Sequence, residues 1–269
     1  MPDRSSRAGS ARRPESRLVR RSGTERARAA LAPVAFRSGM CVGGTELSPA
    51  MSRAERRAAA FWIRRLPAGF TARLPPLKLA VADQLGSARA SVLINEVPRT
   101  QSRLPNNHFH AASFIPQRYV VLRRSLFRRR VEFGRILYHE LCHFLWPRLG
   151  NPLRQRYEAI LRREFRDGTR GELGYSAELR KEKLRAAGGS PERKARLRRL
   201  WREYVCESFC DTTAYVLLGS ERRVRHSEYT LSRAARQRRC RWVAGLCGLP
   251  SPDSTRSSLK SVAPGGYAR

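Results

Sequence analysis

The chain has 269 residues and a formal net charge of +33, with Lys only at positions 78, 181, 183, 194 and 260 among its 55 basic residues. Hydrophobic residues make up 41%, enough for one substantial core, and no apolar run approaches the ~18 residues of a membrane span, so no membrane association is expected. The six Cys (41, 142, 206, 210, 240 and 247) include no CxxC pair, which argues against a disulfide-stapled scaffold and for a reducing, cytoplasmic compartment.

Residues 1–50 are rich in Arg, Ser, Ala and Gly and poor in large apolar side chains. Burial there cannot offset ordering entropy, so disorder is expected. A folded domain is expected over 51–249, followed by a disordered Ser-, Pro- and Gly-rich tail over 250–269. Ser52 is placed to cap a helix running to 65, which carries Phe61, Trp62 and Ile63 and stops at Pro67 and Gly69. Residues 77–81 read as a strand leading into a short helical turn, 91–97 as another strand, 99–107 as a polar loop and 119–122 as the most strand-like run. A basic linker over 123–130 leads into an apolar helix that Pro147 stops. Pro152 starts a helix through 165, and Ser176 is expected to cap a charged helix to about 187. Ser190 and Pro191 open a long helix through Trp201, Tyr204, Phe209 and Leu217 to Gly219, and a basic helix follows over about 231–243. This order predicts an α+β fold, with a small mixed or antiparallel sheet packed on the 130–146 helix and a second, mainly helical half.

That apolar helix holds the chemistry. It contains His139, Glu140 and His143 in the spacing His-Glu-x-x-His. At about 100° per residue, positions four apart fall within roughly 40° of each other, so His139 and His143 can offer imidazole nitrogens to one tetrahedral ion. Glu140 lies on the adjacent face, near enough to serve a water on that ion without displacing it. Chance matches to so short a pattern fall mostly on polar helices or in loops. Here Phe133, Ile136, Leu137, Leu141 and Phe144 surround it, which is the rigid, buried setting a zinc site needs.

Two His leave zinc one protein ligand short. The candidates are Glu158, Glu164, Glu203, Glu207, Asp211, His226 and the pair His108 and His110. Glu207 stands out as a carboxylate within an otherwise apolar stretch, where burial is costly unless a partner compensates. The bland alternative is a helix edge paired with nearby Arg. Asp211, one turn on, is placed to accept the outer N–H of a ligating His. Glu203 is one turn back, but Arg199 and Arg202 beside it suggest a solvated face. Cys142, Cys206 and Cys210 fall within apolar patterns and read as small hydrophobes.

His139-Glu140-x-x-His143 followed by Glu207-x-x-x-Asp211 resembles the gluzincin metallopeptidases of the zincin-like class. The resemblance implies zinc held by His139, His143 and Glu207, with Asp211 supporting a His. It also implies an extended substrate laid along the strand before the metal helix, here 119–122, and a His or Tyr beyond the glutamate to stabilise the oxyanion, for which His226 or Tyr229 is placed. The likeness covers residues 77–218 in element order, on a handful of specific positions. His-Glu-Leu-Cys-His is also similar to the SprT-like and related small bacterial metallopeptidases, which take a nearer third ligand; here no His follows His143 until His226.

The expected function is therefore zinc-dependent peptide hydrolysis by an activated water, with Glu140 as general base and a peptide or protein as substrate. The rival is a basic nucleic-acid-associated protein with a structural or degenerate zinc site, its Arg clusters at 123–130, 193–202 and 222–241 contacting phosphates. A protease acting on nucleic-acid-bound proteins would combine the two.

Overall fold

The computed structural model describes residues 39–88, 91–95, 110–187, 193–219 and 226–250. The expectations for 1–38, 99–107, His108, Ser190, Pro191 and the tail lie outside the described residues. The fold is α+β with a small mixed sheet.

Folded structure begins earlier than expected. Strands β1 (Met40–Val42) and β2 (Thr45–Leu47) form an antiparallel hairpin inside the segment expected to be disordered, and Val42 and Leu47 are buried. Its turn is Gly43-Gly44, with φ of 53° and 76°, the positive values that a two-residue hairpin turn demands. Composition averaged over 1–50 hid this local signal. Helix α1 (Arg53–Arg64) follows, with Ser52 as N-cap in a reciprocal capping box with Glu55. The short α2 (Ala68–Thr71) leads into β3 (Leu77–Ala82).

The stretch expected as a helical turn is instead β4 (Gln84–Ala88), paired antiparallel with β5 (Ser91–Asn95). A further strand unseen in the sequence, β6 (Ala111–Phe114), pairs antiparallel with β7 (Tyr119–Arg123). The main sheet runs β1-β2-β3-β7-β6, with β2, β3 and β7 parallel. This corrects the expected substrate edge. Residues 119–122 lie inside the sheet, and β6 is the edge strand.

Period-two alternation divides β3 and β7 between two cores. Leu77, Leu79, Val81, Val120 and Leu122 join the main cluster with the helices, while Ala80, Ala82, Tyr119 and Val121 pack with Leu85 and Phe114 on the opposite face. A 3₁₀ turn (Arg124–Arg128) occupies the expected basic linker and enters α3 (Arg130–Leu145), the metal-motif helix. Trp62 of α1 packs edge-on against Tyr138, whose hydroxyl donates to the Trp62 carbonyl at 2.9 Å. Gly134 allows that approach, because a Cβ there would sit 2.6–2.7 Å from the Trp62 ring.

The second half is helical: α4 (Asn151–Arg166), α5 (Tyr175–Ala186), α6 (Arg193–Leu217) and α7 (Arg233–Cys247). The N-cap of α5 is Gly174 rather than Ser176. Its free amides are met from elsewhere, Tyr175 N–H by Glu228 and Ala177 N–H by Asp211. A buried charge cluster locks these helices together. Arg239 of α7 bonds Glu164 of α4 at 2.7 Å and Glu172 at 2.5 Å, and Lys181 of α5 meets Glu172 at 2.8 Å, all four side chains being at most 1% exposed. Two cations against two anions make the cluster neutral, which is what permits its burial. Among the described residues, no helix is long and apolar enough to cross a membrane.

Candidate metal centre

Helix α3 lies between the sheet and α6, and the site forms where the three meet. His139, Glu140 and His143 project from α3; Cys206, Glu207, Cys210 and Asp211 project from α6. All but His143 and Cys206 are buried. His139 Nδ1 is 2.8 Å from Asp211 Oδ1. A carboxylate only accepts, so Nδ1 carries the hydrogen and Nε2 is left toward Glu207 Oε2, at 3.3 Å. Two lone pairs do not face each other at that distance unaided. Either a second proton or a cation must stand between them.

The separation suits a cation. Nitrogen and oxygen ligands at ~2.0–2.2 Å from a tetrahedral zinc stand about 3.4 Å apart. His139, His143 and Glu207 each offer a ligand atom within 4.8 Å of the others. The donor set of two imidazoles and one carboxylate matches zinc in type and number.

Charge on these groups follows the same geometry. Burial alone would lower the pKa of His139, but Asp211 and Glu207 hold it well above the ordinary histidine range. Burial would likewise lower His143, yet Cys206 and Glu207 lift it to about 9. For Glu207, burial pushes upward and is overcome by the His139 hydrogen bond and the charges of His143 and Arg180, which hold the carboxyl well below its usual range.

Several supporting residues escaped the sequence reading. Arg180 of α5 binds Glu207 Oε1 at 2.9 Å, which leaves Oε2 as the oxygen toward His139. Ser113 of β6 donates to the Glu140 carboxylate at 2.5 Å and to its backbone carbonyl at 3.3 Å, tying the sheet edge to the motif. Gly174 abuts Asp211 so closely that a Cβ there would lie 2.3 Å from the carboxylate carbon. None of these carries a local sequence signal, since each acts across a fold-level contact. Cys206 and Cys210 did carry one, their four-residue spacing beside Glu207. Their thiols do not simply fill core, because Sγ atoms lie 3.7 Å and 3.6 Å from His143 Nδ1. The hydrogen bond from Cys210 draws the Cys206 thiol down to about 6.

The other candidate ligands lie elsewhere. Glu164 pairs with Arg238 and Arg239, Glu158 with Arg162 and the Trp201 indole, and Glu203 with Arg199. His110 is an exposed residue just before β6. His226 is not among the grouped ligands. Its Nε2 meets Glu132 at 3.2 Å and its Nδ1 accepts from Glu228 N–H at 3.3 Å, so both ring nitrogens are engaged about two turns before the motif. The expected oxyanion role of His226 finds no support in that arrangement. Compared with known proteins, the chain matches no family model, no curated protein and no solved structure.

Proposed function

We propose that this protein is a zinc-dependent metallopeptidase of the zincin-like class, built on the gluzincin pattern. The observation that carries the reading is His139, with Nδ1–H held by Asp211 and Nε2 left facing Glu207, in a group that His143 completes. His139, His143 and Glu207 would hold the ion. When bound, zinc supplies a Lewis acid and a water of near-neutral pKa. Glu140 would hold and pass on a proton at its carboxylate as general base, and the Ser113 hydroxyl holds that carboxylate in place. Asp211 keeps His139 in the ligating tautomer, and Arg180 holds Glu207 Oε1. An extended peptide adding along the outer side of β6 would run near Ser113 and the Glu140 it contacts.

The test compares zinc content and hydrolysis of a quenched fluorescent protein substrate. Wild type is expected to carry zinc and cleave, Glu207→Ala to lose the metal, and Glu203→Ala to keep it. Glu140→Gln should retain zinc and lose activity by about 10²–10⁴-fold, the usual worth of a general base. An active Glu140→Gln protein, or a Glu207→Ala protein with full zinc, would overturn the assignment.

The rival reading draws on the charge. Lys194, Arg196, Arg198 and Arg199 are exposed around the first turns of α6, a basic segment suited to phosphate contacts. Such binding would fall steeply with salt. Salt-dependent DNA binding by a protein that takes up zinc but cleaves nothing would favour the nucleic-acid role.

A further inference from the structure

His143 belongs to two different candidate donor sets, one with His139 and Glu207 and one with Cys206 and Cys210. On its Nδ1 side stand Cys206 Sγ at 3.7 Å and Cys210 Sγ at 3.6 Å, one turn apart on α6. A tetrahedral ion at ~2.3 Å from sulfur and ~2.0 Å from nitrogen separates such atoms by about 3.5 Å. Each sulfur already stands from the imidazole at nearly the distance of a co-ligand, and the three residues offer ligand atoms within 4.8 Å of one another. Cys206 is half-buried rather than sealed in the core, so an ion can reach the group from solvent.

We propose that His143, Cys206 and Cys210 form a second site for a soft, thiophilic cation such as cadmium or monovalent copper, occupied in alternation with the His139–His143–Glu207 site. The donor sets differ in softness, two thiolates against a carboxylate and a second imidazole, and soft ions favour the thiolates. Alternation follows from the imidazole. A neutral ring has one lone-pair nitrogen, so His143 ligates one ion at a time. Cadmium binds the Cys206 and Cys210 sulfurs as thiolates together with a His143 ring nitrogen, and the protons those atoms carried pass to buffer. His143 is then lost to the first site. A soft ion therefore releases the metal of the other site without competing for Glu207, a built-in route to inhibition by thiophilic metals.

Cadmium titration of the full chain, monitored by the thiolate-to-cadmium charge-transfer band, tests this in a Cys41→Ser background that removes the exposed thiol. The band should saturate at one equivalent, halve in Cys206→Ser and vanish in the Cys206→Ser/Cys210→Ser protein. It should survive undiminished in Glu207→Ala, which separates this site from the hydrolytic reading. Zinc preloaded on the protein should appear in solution in step with the band. Because Cys210 is buried and its replacement can impair folding, a second measurement uses unmutated thiols: cadmium should protect Cys206 from maleimide alkylation, read by peptide mass spectrometry. A band that persists in the double variant, or Cys206 alkylated at an unchanged rate, would overturn the proposal. Loss of the band in Glu207→Ala would overturn it as well, since cadmium would then sit in the first site.

Discussion

Gly174→Ala is the substitution that most sharply tests how the metal centre is held. Gly174 has φ −173° and ψ 154°, an extended conformation open to any residue, so backbone strain plays no part. The obstacle is Asp211: an added Cβ would lie 2.3 Å from its Cγ and Oδ2 and 2.4 Å from Oδ1. Carbon atoms rest at ~3.5–4.0 Å, so about 1 Å of retreat is required. Neither partner retreats freely. Asp211 is a short side chain, 4% exposed, tied to His139 and to Ala177 N–H, while Gly174 caps α5 through its carbonyl to Glu178 N–H. Lengthening the 2.8 Å Asp211–His139 contact by that amount breaks the hydrogen bond. Losing such an orienting partner costs about 10–100-fold in metal affinity, or roughly 1.4–2.8 kcal/mol. The assay is zinc dissociation measured against a chromogenic chelator, with Asp211→Asn as the reference variant. Both should weaken zinc to a similar degree while far-ultraviolet circular dichroism stays that of wild type. Wild-type affinity in Gly174→Ala would refute the claim that Asp211 is positioned by this contact.

Three further outcomes are expected. Zinc affinity should rise with pH up to about 9, because protons on His139 and His143 occupy the nitrogens an ion needs and His143 gives its proton up only at about 9; calorimetry in buffers of different ionisation enthalpy should show protons released on binding, and none released at neutral pH would contradict it. Arg239→Leu should destabilise the fold by about 3–5 kcal/mol in urea unfolding, since it leaves Glu164 and Glu172 buried with less compensation; a loss under about 1 kcal/mol would show the cluster is not needed. Gly134→Ala gains about 1 kcal/mol of helix propensity but forces a Cβ to 2.6 Å from the Trp62 ring, an overpacking cost of about 1–3 kcal/mol. A net loss is expected in denaturant midpoint followed by Trp fluorescence, and a gain would show that α1 shifts freely.

What could be read from the chain alone was what local chemistry determines. The four-residue spacing of His139 and His143 puts them on one helical face in any fold that keeps the helix. Ser52 with Glu55 marks a helix start through bonds that span three residues. The conspicuous carboxylate of Glu207 could be singled out as a candidate because its apolar neighbours already implied the burial it shows. Residues joined across the fold gave less notice. Ser113 meets Glu140 from 27 positions away with no local signal, while Asp211 could be expected beside a His but only packing shows that it is His139, 72 positions away. Only packing decided that β6 rather than 119–122 forms an edge, that α5 brings Arg180 to Glu207, and that α6 turns Cys206 and Cys210 toward Nδ1 of His143. The sequence determined the reactive groups and the helices that carry them. Tertiary structure decided which of their atoms face each other, because a side chain's partner depends on how whole elements pack, and no periodicity records that.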